Sequence, residues 1–149
     1  MLAKLTSFFK PSSEIETEES KQKKLQEACA TLLMEVMRAD FEQTEDEKVK
    51  IQGLLKDTFT LSESELAELV ERSEQSDKES TSVYPFTSLI NEHYDYDQRV
   101  NLVQLMWKVA YADGNLDKYE DDIIRKVADL LYIRHSDFIK AKLAEAELH

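Results

Sequence analysis

NLVQLMWKVAYADGNLDKYEDDIIRKVADLLYI, residues 101–133, decides the fold. An apolar pattern at helical spacing runs into Ala112, Asp113 and Gly114. A short polar loop follows, and a second helical pattern carries Ile123, Ile124, Val127, Leu130 and Leu131. Residues 31–55, TLLMEVMRADFEQTEDEKVKIQGLL, have the same layout. Asp40 and Asp113 stand 73 positions apart, and that one offset sets Leu32 on Leu105, Val36 on Val109, Ala39 on Ala112, Glu47 on Glu120, Ile51 on Ile124 and Leu54 on Val127. The two stretches read as a duplicated helix–acidic loop–helix unit. The expected fold is a single compact all-α domain spanning residues 14–149, with repeats over about 25–72 and 98–148, preceded by a short helix and linker at 1–13.

Composition supports helices. The chain holds two glycines and two prolines, too few for a turn-rich sheet fold. Its formal charge of −12, from 31 acidic and 19 basic residues, argues against nucleic acid and against an anionic membrane surface. It suits a protein that attracts cations or basic partners. The one cysteine, Cys29, excludes an internal disulfide and fits a reducing compartment. Flanked by Ala28 and Ala30 in a helical pattern, it reads as a small core residue. No run approaches the roughly 20 apolar residues of a membrane span. The opening MLAKLTSFFK places Met1, Leu2, Leu5, Phe8 and Phe9 on one helical face, a terminal helix that packs on the body, on a partner or against a membrane. The expected location is the cytoplasm, with the inner-membrane surface as an alternative.

Along the chain, a helix should begin in the charged stretch 14–26, where acidic residues precede basic ones, and end near Asp40. Thr44 with Glu47, Ser62 with Glu65, and Asp117 with Glu120 form capping boxes, in which each end of the pair reaches the other's backbone N–H. Ile51, Leu54, Leu55 and Phe59 make one buried stripe; Leu66, Leu69 and Val70 make the next. The polar run 71–82 is the best linker candidate. Pro85 suits a first helical turn, with Phe86, Leu89, Ile90 and His93 sharing a face. Asp95 or Asp97 caps the helix with the broadest apolar surface, carrying Val100, Val103, Trp107 and Ala110 beside Leu102, Leu105, Met106 and Val109, which is expected to be the central helix. The last helix starts at His135 and turns Phe138, Ile139 and Leu143 inward. No strand is expected. Trp107, Tyr84, Tyr94, Tyr96, Tyr111 and Tyr119 serve the core or line a partner groove.

Chemistry concentrates in the acidic loops. Asp113, Asn115 and Asp117 alternate, and Glu120, Asp121 and Asp122 follow; such oxygen donors suit a hard divalent cation, calcium or magnesium. The first loop offers Asp40, Glu42, Thr44 and Glu47. Asp40 and Asp113 fall at helix C-termini, where the dipole disfavours a negative charge, and a bound cation would offset that. This is no EF-hand, since Lys118 and Ile124 stand where that loop requires glycine and a bidentate glutamate. Capping alone already accounts for Glu47 and Glu120, with Thr44 and Asp117 as their N-caps, and a left-handed C-cap accounts for Gly114. His93, His135 and His149 lie apart, with no metal-ligand spacing. There is no phosphate-binding glycine loop and no nucleophile elbow.

Val109-Ala110-Tyr111-Ala112-Asp113-Gly114, then Asp117-x-x-Glu120 and Ile123-Ile124, resembles the signature of the TerB-like domain family. That family includes tellurite-resistance protein TerB and the N-terminal domain of a membrane-anchored J-protein cochaperone. The resemblance covers residues 25–148. It implies about seven helices around one core with internal pseudo-twofold repeats. It also implies an acidic cluster that binds divalent metal, and an interaction role near membrane-associated stress or phage-defence assemblies. Asp113, Asp117 and Glu120 match the family's acidic positions, and Asp40 and Glu47 are their repeat partners. The first copy departs at Phe41, which stands where Gly114 does.

The expected function is a non-enzymatic, acidic interaction module with a protein partner that is basic or membrane-associated, its oligomeric state left open. Metal is expected at Asp113, Asp117, Glu120, Asp40 and Glu47, and no other cofactor. The rival is a metal-dependent hydrolase using the same carboxylates, which would require ligands converging from several helices around an open water position.

Overall fold

Thr17 opens α1: its hydroxyl accepts a hydrogen bond from the Ser20 N–H at 3.0 Å, and Glu18 and Glu19 occupy the first turn, where the dipole favours them. The structure, a computed structural model, describes residues 17–38, 45–79, 82–111, 116 and 118–148, without the side chains of residues 38, 46 and 47. Seven α-helices form among them: α1 Glu18–Arg38, α2 Glu45–Phe59, α3 Glu63–Glu79, α4 Tyr84–His93, α5 Tyr96–Ala110, α6 Lys118–Leu130 and α7 His135–Ala146. No strand occurs among the described residues. The all-α expectation is met.

Local chemistry fixes the helix ends. At α3 the Ser62 N–H donates to the Glu65 carboxylate at 2.9 Å, and the Glu65 N–H donates to the Ser62 hydroxyl at 3.2 Å. At α5 the Asp95 carboxylate accepts from the Gln98 N–H at 2.8 Å, and the Gln98 side chain accepts from the Asp95 N–H at 2.9 Å. The first is the expected reciprocal box; at α5 the cap falls on Asp95, one of the two residues expected, and Gln98 completes a box that was not foreseen. Pro85 sits in the first turn of α4, where no N–H is required. The ends of α2 and α6 resemble one another. Leu61 N–H reaches back to the Lys56 carbonyl and Ile133 N–H to the Ala128 carbonyl, each at 3.0 Å, across Thr60 (φ 53°) and Tyr132 (φ 57°). Both carry a side chain where glycine is the unstrained choice. The α6 end is satisfied further from outside: Asn91 donates to the Leu130 carbonyl and Arg99 to the Leu131 carbonyl, each at 2.8 Å.

The core runs through every helix. Its largest enclosed side chains include Trp107, Leu32, Leu33, Leu55, Leu69, Ile90, Met106, Ile124 and Leu131. The most central element is α1, which packs against α2, α3, α4, α5 and α6. Every residue from 28 to 34 is buried, and the small Ala28, Cys29 and Ala30 allow several neighbours to approach at once. The centrality expected of α5 therefore belongs to α1. The lysine-rich first half of α1 masked its apolar second half, while α5 packs its broad face on α1, α2, α6 and α7.

Three further expectations are corrected. The run 71–82 is not a linker up to residue 79: α3 continues to Glu79, Ser73 and Asp77 are buried, and Ser76 donates a hydrogen bond to Glu27 of α1. Leu143 is 55 % exposed rather than inward, and Ala141 takes the buried place on α7. His93 is exposed and does not share the Ile90 face. The repeat offset reappears in the helix starts, with α2 at Glu45 and α6 at Lys118.

Candidate functional site

The second acidic loop lies between the end of α5 and the start of α6. Of the five residues expected to hold a metal, Asp113, Asp117 and Asp40 lie outside the described residues. Glu47 falls in the first turn of α2, with its side chain likewise outside the description. Glu120 is described fully: it stands in the first turn of α6 with 4 % of its surface exposed. Among the described residues no three His, Cys, Asp or Glu side chains gather closely enough to hold a metal ion.

The three successive carboxylates on α6 have separate fates. Glu120 is buried, Asp122 is exposed, and Asp121 turns towards α7. The Lys142 ammonium meets one Asp121 oxygen at 2.7 Å, and Arg125 meets the other at 3.4 Å. Asp121 and Lys142 are 19 % and 26 % exposed, so water screens this pair less than a surface one. Lys142 lies 5.1 Å above the Trp107 ring centre, and Arg125 lies 5.0 Å above that of Phe138. Trp107 and Phe138 pack with centroids 5.3 Å apart, and Tyr111 tilts against Trp107 at 6.2 Å. Trp107 is thus core, the plainer of its two expected roles. Among the described residues its indole N–H finds no hydrogen-bond partner, a cost that the cations over the rings do not relieve.

Asp121 therefore belongs to a clasp joining α6 to α7 beside the loop. Sequence reasoning missed the clasp. The Asp121–Arg125 spacing of one helical turn was visible, but nothing local pointed to Lys142, 21 positions on.

Cys29 is no nucleophile. Burial pushes its thiol from 9.0 up to about 12, and its S–H donates to the Tyr94 hydroxyl at 3.8 Å. Of the expected tyrosine lining, Tyr94, Tyr96 and Tyr111 are half-buried, while Tyr84 and Tyr119 are exposed. No helix among the described residues is long and apolar enough to cross a membrane.

A model of the family described as "Tellurite resistance protein TerB" matches residues 26–143 of the chain. No curated protein and no solved structure matches it.

Proposed function

The chain belongs to the tellurite resistance protein TerB family, and from that premise we propose that it is an acidic helical interaction module rather than an enzyme. It docks a basic protein partner and holds a divalent cation, calcium or magnesium, at the loop between α5 and α6. Asp113, Asp117 and Glu120 are the ligands, and Asp40 and Glu47 form a weaker counterpart between α1 and α2, where Phe41 replaces the permissive glycine. The role in tellurite or stress resistance rests on family membership alone.

The observation that carries the cation site is the burial of Glu120. A glutamate in a first helical turn ordinarily leaves its carboxylate in water, and this one is 4 % exposed beside the loop. Asp121 is engaged on the α7 side by Lys142 and Arg125, while Glu120 is enclosed on the side of the loop. Oxygen donors of this kind suit hard cations, and a cation would also relieve the charge of Asp113 after the C-terminus of α5.

Titrating calcium and magnesium into the full chain, followed by amide NMR and melting temperature, tests this. Both Asp113→Asn and Glu120→Gln should weaken binding by similar factors. If Glu120→Gln leaves affinity unchanged while Asp113→Asn reduces it, Glu120 is a cap and not a ligand, because the amide still reaches the backbone. Millimolar ions that shift neither the melting temperature nor the amides of residues 113–120 would overturn the cation site.

A further inference from the structure

Helices α2 and α3 leave a furrow between them. One part, about 320 Å³, is floored by Leu66, Ala67 and Val70 and rimmed by Glu63, Glu71 and Glu74. It continues past Gln52 and Val70 into a second part of about 240 Å³, floored by Met34, Met37 and Ile51, where Lys48 and Lys78 take over the rim. The furrow is thus apolar below, acidic at the α3 start and basic at its far end. Glu71 and Glu74 are exposed, and Glu63 pairs with Lys56 across the α2–α3 turn.

The described chain begins next to the acidic end. The Glu65 carboxylate is held low by the Ser62 backbone N–H and hydroxyl, and Lys23 of α1 also acts on it. Glu27, further along α1, meets Ser76, further along α3. The two helices therefore run the same way, with their starts together. Thr17 lies less than two helical turns before Lys23, so the chain enters α1 from the side on which α3 starts. Sixteen residues precede Thr17. The first ten carry Leu2, Leu5, Phe8 and Phe9 at helical spacing with Lys4 and Lys10, and the first acidic residue is Glu14. A ten-residue helix is about 15 Å long, and the six residues after it span up to about 20 Å. Reach, apolar pattern and charge all match the acidic half of the furrow.

We propose that residues 1–10 dock in cis into the α2–α3 furrow, Leu2, Leu5 and Phe9 on its Leu66–Val70 floor and the lysines towards Glu71 and Glu74. The segment then covers apolar surface that the helices leave open and offsets acidic charge on α3. Its release would expose two surfaces at once, the furrow and the segment's own apolar face, which couples this docking to any partner that competes for either.

A nitroxide at Ala3→Cys in the full chain tests this, since the native Cys29 thiol is buried and stays protonated at labelling pH. The label should broaden the amides of Gln52, Leu66, Val70 and Glu74 strongly and leave α7 sharp, equally at tenfold dilution. The double change Leu5→Asp, Phe9→Asp should abolish the broadening, and Glu71→Lys with Glu74→Lys should weaken it. No broadening in the furrow overturns the proposal. Broadening that vanishes on dilution overturns it in favour of a second copy of the chain. A segment that binds anionic phosphatidylglycerol vesicles while the furrow amides stay sharp overturns it in favour of a membrane contact.

Discussion

Cys29 shows how one residue of plain appearance shapes the response to pH. Its thiol lies in the middle of α1, 2 % exposed, with the Tyr94 hydroxyl as its acceptor. Burial raises its pKa from 9.0 to about 12, so folded and unfolded states diverge only on the alkaline side. Below the unfolded pKa the thiol is protonated in both states and its contribution to stability is complete. As pH rises from about 9 towards 12 the unfolded thiol ionises and the folded one does not, so stability falls by about 1.4 kcal/mol per pH unit. Tyr94, raised mainly by burial and then by Cys29, adds to the loss at higher pH. Urea midpoints measured from neutral to alkaline pH should show this slope, and Cys29→Ala should flatten it. An unchanged slope in that variant would place the alkaline loss elsewhere. The buried cysteine was legible because alanines flank it. The inward turn of Glu120 was not, because a capping glutamate and a buried one have the same sequence signature.

At the scale of elements, legibility followed locality. The Ser62 box, the Asp95 cap, the proline-led α4 and the stripes of α2 and α6 come from contacts within a turn or two, and sequence spacing records such contacts. The linker expected at 71–82 failed because its information is not local. The sequence ERSEQSDKE has no apolar stripe, yet it folds as the second half of α3 because Ser73 and Asp77 bury against neighbours and Ser76 bonds Glu27. Polar residues here replace the hydrophobic face that a periodicity test looks for. Ser76→Pro separates the two accounts. In a linker it would be neutral; inside α3 it removes a helical hydrogen bond and clashes with the preceding turn, at a cost of about 3 kcal/mol or more. Urea denaturation of that variant gives the answer. The clasp of Asp121, Lys142, Trp107 and Arg125 eluded the sequence for the same reason, since it is written in the packing of α7 on α5 and α6.

For the whole molecule, the question is whether the two stretches that read alike in sequence fold as two halves or as one. The offset that aligns Val36 with Val109 also aligns the starts of α2 and α6, and both valines are buried, at 0 % and 8 % exposure. If the halves are true repeats, α1–α2 and α5–α6 superpose with one crossing angle, and an experimental structure in which the two angles are unrelated would end that idea. The halves do not have separate cores, however. Helix α1 packs against α4, α5 and α6 as well as against α2 and α3, so one continuous cluster holds Val36, Val109, Trp107 and Ile124 together. Val36→Ala and Val109→Ala should therefore each cost about 1–3 kcal/mol, through lost burial and the cavity left behind. More telling is where the loss shows. Native-state hydrogen exchange should register Val36→Ala in α5 and α6 as strongly as in α2, and unfolding should remain a single transition in both variants. Two transitions, or protection lost only in the half that carries the change, would mean that the repeats fold independently and that α1 merely rests on its neighbours. A single transition makes α1 the element through which each half completes the other, and any ligand at the loop between α5 and α6 would then stabilise the whole domain by mass action.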